Sequence, residues 1–175
     1  MKNILFVLIT SFIAIPLCAQ STHDNASAES TYIFIRHAEK ADDGTSDPDL
    51  SSEGVERAQG WIEMLEEYNI SAIYSTPYKR TQQTAAPIAE HLELDVKEYG
   101  FSNVDSLVTR FKDIHQQSAV LIVGHSNTTA MLVNVMMEKR LYENLEESDY
   151  ETYFIVTMDA KKELVSEKLK NQGRE

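Results

Sequence analysis

Short runs of β-branched and aromatic residues alternate with helical patterns along most of this chain, and this alternation constrains the fold more than any other feature. The clearest run, AVLIV at 119–123, has the length of a buried strand and carries no charge. Similar runs stand at 31–35 and 71–74. Between them, apolar residues recur at helical spacing, as in 58–68. We therefore predict a three-layer α/β/α sandwich around a mainly parallel sheet.

Further elements follow from the same patterns. Side chains that can accept hydrogen bonds from free helix N–H groups mark predicted helix starts at Ser51 or Ser52, at Thr76 and at Ser126. Pro77 fits the first position of the helix that Thr76 would open. The remaining predicted elements are helices over 78–91 and 104–115, a short strand over 93–97, and a terminal hairpin of strands 153–158 and 163–165.

The first nineteen residues have the pattern of a secretory signal peptide. A single charge precedes an apolar run over 4–17, which is short for a membrane-spanning helix. We predict cleavage after Ala19, a linker over 20–30 and one domain over 31–175, hence a periplasmic or secreted protein with no stable membrane insertion after cleavage. Two rival interpretations are a lipoprotein acylated at Cys18 and a retained, uncleaved anchor.

The charge and cysteine content limit the possible partners. With 28 acidic and 16 basic residues, the net charge is −12, which argues against nucleic acid and anionic lipid as partners. Any bound anion must therefore be held by a local cluster of positive groups. The only cysteine would be lost on cleavage, so we expect no disulfide, no thiol nucleophile and no cysteine-ligated metal in the mature protein.

Basic side chains follow three predicted strands. Arg36 and His37 end the first, Arg80 lies just after the second, and His125 follows the run at 119–123. Because the carboxyl ends of parallel strands meet at one edge of a sheet, we expect these side chains to converge on one anion. Guanidinium groups suit the oxygens of a phosphate, and a neutral imidazole held by a backbone carbonyl could attack its phosphorus.

Three blocks carry a family resemblance. IRHAEK at 35–40, YSTPYKRTQQTA at 74–85 and VGHSN at 123–127 resemble, in order, the signature blocks of the histidine phosphatase, or phosphoglycerate-mutase-like, superfamily, and in particular its short bacterial branch. The segment LSSEG at 50–54 is similar to the family's helix-opening segment. The resemblance extends from residue 32 to about residue 138.

This resemblance implies a role for each matching residue, without metal or cofactor. His37 would accept the phosphoryl group, Arg36 and Arg80 would clamp the phosphate, and His125 would stabilise it from the far side and take part in catalysis. Asn127, within the third block, is a further expected phosphate contact. The sequence departs from the family pattern at Ala38, where glycine is usual.

The family also implies a general acid that protonates the leaving group. It commonly lies on the segment after the second arginine, where Glu98 is our first choice and Asp105 the second. A phosphoramidate substrate would need less help, because a nitrogen leaving group can already be protonated.

The sequence therefore predicts a metal-independent phosphomonoesterase acting through a phosphohistidine on an exported phosphorylated small molecule or phosphoprotein. A phosphoglycerate-mutase-type phosphotransferase and a noncatalytic phosphate-binding domain are the alternatives. The 45-residue spacing from Arg80 to His125 leaves little room for a capping insertion, which favours hydrolysis. We interpret three other histidines as structural or solvated: His23, His91 and His115. We interpret the acidic segments 42–49 and 143–151 as solvated loops.

Overall fold

A computed structural model describes residues 29–171 of the protein. The predicted signal peptide with its cleavage site, Cys18 and His23 lie outside the described residues. Within the described part, none of the helices has the length and apolar character needed to cross a membrane. The elements are β1 (Ser30–Arg36), α1 (Ser52–Leu65), β2 (Ile70–Ser75), α2 (Lys79–Leu92), β3 (Val96–Glu98), α3 (Val104–Ile114), β4 (Ala119–Gly124), α4 (Ser126–Met136), β5 (Thr152–Met158) and β6 (Leu164–Lys170).

The strands form one six-stranded sheet in the order β3-β2-β4-β1-β5-β6. The first four are mutually parallel, while β5 runs antiparallel to β1 and β6 antiparallel to β5. The predicted mainly parallel sheet and terminal hairpin are confirmed, although β6 continues to Lys170, beyond the predicted end at residue 165. Strand β1 begins at Ser30, which the sequence assigned to the linker.

The sheet has an apolar core on each face. Successive side chains of a strand point to opposite faces, so Leu121 packs with the cluster under α1 and α2 while Ile122 packs with the cluster under α3 and α4. Trp61 of α1 and Phe111 of α3 are fully buried on these two sides. The result is the predicted three-layer sandwich.

The start of α1 is fixed against the segment that follows β1. Ser51 caps the helix as predicted, its hydroxyl accepting a hydrogen bond from the Gly54 N–H at 3.1 Å. The Ser51 N–H donates to the Glu39 carbonyl at 2.9 Å, and the Arg57 Nε donates to both Glu39 carboxylate oxygens at 2.7 and 2.9 Å. A Cβ on Gly54 would overlap the Glu39 carbonyl oxygen, so only glycine allows this close approach.

The predicted caps at Thr76 and Ser126 are wrong. Helix α2 begins at Lys79, whose N–H donates to Asp47 Oδ1 at 3.0 Å, and the Thr76 hydroxyl is used elsewhere. In α4 the N-cap is His125, and Ser126 is the first helical residue. Both predictions failed because a hydroxyl near a helix start can serve a distant partner as well as the local backbone.

His115 is buried and has the predicted structural role. Its Nε2 lies 2.9 Å from the Tyr74 hydroxyl. This contact links the end of α3 to β2.

Candidate active site

The order β2-β4-β1 brings three strand ends together, and the predicted convergence of basic side chains is largely observed. A cavity of about 360 Å³ opens at this edge of the sheet. The His37 and His125 rings face each other edge to face with centroids 5.4 Å apart. Within the described part of the chain the cavity is lined by His37, Lys40, Tyr78, Arg80, Phe101, His125, Ser126, Asn127, Thr128 and Glu147.

His37 is held as a neutral imidazole with one free nitrogen. Its Nδ1 lies 2.7 Å from the Ala38 carbonyl, which can only accept, so Nδ1 carries the proton and Nε2 keeps its lone pair. Burial, together with the nearby positive charges of Arg36 and Arg80, lowers the pKa of His37 to about 3. Ala38 has an ordinary negative φ and its N–H donates to the Thr84 hydroxyl at 2.9 Å, so alanine fits where the family usually has glycine.

A chain of hydroxyl groups orients His125. Thr81 Oγ1 lies 2.9 Å from the Thr76 carbonyl and 2.8 Å from the Tyr78 carbonyl, so its single hydrogen goes to one of them. The Thr76 hydroxyl, 2.9 Å away, must then donate to Thr81 Oγ1. This leaves Thr76 Oγ1 as an acceptor for the His125 Nε2–H at 2.9 Å, and Nδ1 of His125 carries the lone pair. Burial lowers the pKa of His125 to about 4.

Arg80 reaches the cavity from the first turn of α2. One of its terminal nitrogens lies 3.5 Å from His125 Nδ1, and the other donates to Asp47 Oδ1 at 3.4 Å. Its Cζ stands 4.6 Å from the centre of the Tyr78 ring. Because Asp47 holds both Arg80 and the start of α2, the loop around residues 42–49 is part of the site's support as well as a solvated segment.

Arg36 is buried and tied to a distant segment. Its Nη1 donates to the carbonyls of Glu146, Glu147 and Asp149 at 2.8, 2.9 and 3.1 Å, and its Cζ lies 4.1 Å from the centre of the Tyr150 ring. The interpretation of 143–151 as only a solvated connection is therefore wrong. Arg36 Nε is buried and has no acceptor among the described residues. A buried donor without a partner is costly, and the oxygen of a bound anion could serve it.

Glu147 is the carboxylate at the cavity. Its Oε2 accepts from Arg36 Nη2 at 3.2 Å and its Oε1 accepts from the Ser126 hydroxyl at 2.8 Å. The hydrogen bond from Ser126, together with the nearby positive charges of Arg36 and Lys40, keeps the pKa of Glu147 below its usual value. Its side chain is 79% exposed, so the carboxylate lies at the mouth of the cavity and not at its base.

The other predicted site residues fall in different places. Asn127 lines the cavity, as expected for a phosphate contact. Glu98 is exposed on the edge strand β3, and Asp105 lies in the first turn of α3 beside two other cavities. Neither of these carboxyl groups is among the described residues that line the cavity of His37. The identity of the general acid stays a prediction.

Sequence reasoning missed several residues at the site. Tyr78 lies inside the second of the three family-like blocks, so the sequence carries a signal for its position. Phe101 and Glu147 carry no local signal, because they reach the cavity from irregular segments.

Between residues 29 and 171, no three His, Cys, Asp or Glu side chains are grouped so that they could hold a metal ion.

Comparisons with known proteins point to one family. A family model for the histidine phosphatase superfamily (branch 1) matches residues 32–99. Phosphoserine phosphatase 1 of Hydrogenobacter thermophilus is 31% identical over 113 residues, which cover 61% of this chain and 45% of that protein. The chain thus matches less than half the length of this curated relative.

Solved structures share the fold at low identity. A protein from Escherichia coli, described as a candidate alpha-ribazole-5'-P phosphatase, gives a TM-score of 0.63 at 16% identity and covers 82% of this chain and 97% of that one. The protein histidine phosphatase SixA, solved with tungstate, gives 0.59 at 17% identity and covers 80% and 96%.

Proposed function

Because the chain belongs to branch 1 of the histidine phosphatase superfamily, we propose that it is a phosphomonoesterase in which His37 takes the phosphoryl group. One observation carries the proposal. The Ala38 carbonyl holds the Nδ1–H of His37, so the free Nε2 is a neutral nucleophile in a cavity that also holds Arg80 and His125. The substrate class and the cellular location belong to the proposal.

The reaction follows from these positions. His37 Nε2 forms a bond to phosphorus as the ester P–O bond breaks, and the departing alkoxide takes a proton from a general acid or from water. A water oxygen then attacks phosphorus, the N–P bond breaks, and inorganic phosphate leaves. Arg80, the free Arg36 Nε–H and the N–H groups at the start of α4 would stabilise the charge on the phosphoryl oxygens during both steps.

The placement of the carboxyl groups bears on the leaving group. Glu98 and Asp105 lie apart from the cavity, so protonation by either one would need the substrate to extend towards it. Substrates whose leaving groups need little protonation, such as aryl phosphates and phosphoramidates, fit this arrangement best. Glu98 remains the proposed general acid for alkyl phosphates.

Hydrolysis is favoured over the two alternatives. From Arg80 to His125 the chain is occupied by α2, β3, α3 and β4, which belong to the sandwich and do not cap the cavity. A mutase needs an enclosed site that keeps the phosphate for return, and the open cavity argues against this role. A noncatalytic binding domain would not need a nucleophile with its lone pair prepared, as His37 has.

The relatives suggest substrates, and the sequence suggests a location. The Hydrogenobacter thermophilus relative is a phosphoserine phosphatase, so a small phosphomonoester is the first candidate, and a phosphoprotein is the second.

The N-terminal pattern supports export to the periplasm or the medium. Mass spectrometry of the protein recovered from an exporting host tests this: a mature chain that starts at Gln20 supports export, and retention of residue 1 argues against it.

Hydrolysis of para-nitrophenyl phosphate in EDTA tests the activity. We expect turnover that survives chelation and is lost in His37→Ala, by a factor of about 10³ or more, because no other group replaces the nucleophile. His91→Ala, which changes an exposed histidine of α2, is the matched control and should retain wild-type activity. Full activity in His37→Ala would contradict the proposal, as would a strict metal requirement.

A further inference from the structure

Glu147 places one negative charge at the solvent-exposed side of the cavity that holds His37. With its phosphate at His37, a substrate extends its alcohol portion through the mouth of the cavity, and Glu147 lines that mouth. Of the residues that line the cavity within 29–171, Glu147 is the sole carboxylate. Two contacts fix its position, one from Arg36 Nη2 and one from the Ser126 hydroxyl.

The two contacts leave this carboxylate able to bind more. A carboxylate has about four acceptor positions, and the contacts with Arg36 and Ser126 use one on each oxygen. The side chain is mostly exposed, so the remaining positions are open to solvent. A donor with a positive charge would find free lone pairs there, whereas a second anionic group would be repelled.

The charge balance of the site points the same way. With both imidazoles neutral, the charged groups that line the cavity or pair with its lining within residues 29–171 are three cations and two anions: Arg36, Lys40 and Arg80 against Glu147 and Asp47. One net positive charge remains, whereas a phosphomonoester carries about −1.5 to −2 at pH 7. A substrate with its own positive group near the phosphate reduces this imbalance.

We infer that Glu147 determines the choice among alkyl phosphates, and that the preferred ones are zwitterionic phosphomonoesters with an ammonium group a few bonds from the ester oxygen. The inference rests on the proposed phosphatase function. Glu147 binds the ammonium group and takes no part in the bond changes at phosphorus.

Two isosteric substrates test it: phosphoethanolamine, which ends in an ammonium group, and n-propyl phosphate, which ends in a methyl group. We expect wild type to prefer phosphoethanolamine in kcat/KM by roughly fivefold, the range of an exposed ion pair, and to lose this preference in Glu147→Gln. Glu146→Gln removes the same charge from the same segment, but its side chain does not line the cavity, so it should retain the preference. Added salt should weaken the wild-type preference.

Two results would overturn the inference: equal kcat/KM for both substrates in wild type, or an equal change for both substrates in Glu147→Gln. The second result would mean that the carboxylate only competes with phosphate for Arg36 and Ser126. Calorimetric titration of both ligands into His37→Ala separates this question from catalysis. If para-nitrophenyl phosphate is not hydrolysed, the proposed function fails, while tighter binding of phosphoethanolamine that depends on Glu147 would still support the inference. Equal binding, or no binding of either ligand, would reject it.

Discussion

At the scale of single residues, the Thr76 hydroxyl determines which nitrogen of His125 is free. It accepts from His125 Nε2 and donates to Thr81, whose own hydrogen goes to a backbone carbonyl. The lone pair of His125 Nδ1 is thereby turned towards Arg80. A threonine that is not among the described residues lining the cavity thus positions His125.

Replacing Thr76 with valine tests this positioning role. Thr76→Val keeps the shape but leaves the His125 Nε2–H without an acceptor, at a cost of about 1–3 kcal/mol, so we expect kcat/KM to fall about tenfold. Thr76→Ser retains the hydroxyl and should restore most of the activity. Thr157→Val, on β5 away from the cavity, is the control and should match wild type. Wild-type kinetics in Thr76→Val would show that His125 does not depend on the hydroxyl.

The sequence predicts the basic residues of the site better than their partners. His37, Arg80 and His125 could be placed together because each follows a strand, and parallel strands end at one edge. The partners of Arg36 could not, because backbone carbonyls more than 100 residues away carry no signature in the side-chain pattern. Thr76 was misassigned because its hydroxyl is equally suited to a helix cap and to an imidazole.

At the scale of elements, the contact between α1 and the segment after β1 sets the path of the chain beyond His37. The Glu39 carbonyl accepts from the Ser51 N–H, and the Glu39 carboxylate is held by Arg57. Gly54 lets the helix approach this backbone directly. The existence of α1 was predictable from its apolar spacing, but the approach was not, because it depends on a backbone distance between two elements.

Two glycines of this helix make a matched pair. Gly54→Ala would bring its Cβ into the Glu39 carbonyl oxygen, so we expect a loss of roughly 1–3 kcal/mol in the free energy of unfolding, together with lower activity as the segment after His37 shifts. Gly60→Ala meets nothing within 4 Å on the exposed side of the helix and should stabilise the protein by about 0.5–1 kcal/mol. Urea unfolding measures both. Equal effects at the two positions would contradict the close approach.

At the scale of the whole molecule, acidification has two opposing effects on stability. The net charge of −12 produces self-repulsion that falls as carboxylates are protonated. The two buried imidazoles work in the other direction, because burial lowers the pKa values of His37 and His125 to about 3 and about 4, below the 6.5 of an exposed histidine. Between about pH 6.5 and the folded pKa values, the unfolded chain therefore binds more protons at these histidines than the folded protein does. Their contribution to stability decreases as the pH is lowered through that window.

A pH series of urea unfolding isolates this effect. Between pH 6.5 and 4.5 we expect wild type to lose about 1–3 kcal/mol more stability than His37→Gln, which has no imidazole to protonate. The carboxylate effect is common to both proteins and cancels in the comparison. An equal loss in the two proteins would mean that His37 is not held neutral by burial.

The hydrogen bonds from Arg36 to residues 146–149 affect how the sequence of this segment can change during evolution. Three of the contacts that hold this segment end on main-chain oxygens, which every amino acid provides. Mutations in the segment can therefore exchange side chains at the mouth of the cavity while the backbone anchor stays in place. New substrate preferences can therefore arise by point mutation in this segment without changes to the other residues of the candidate site.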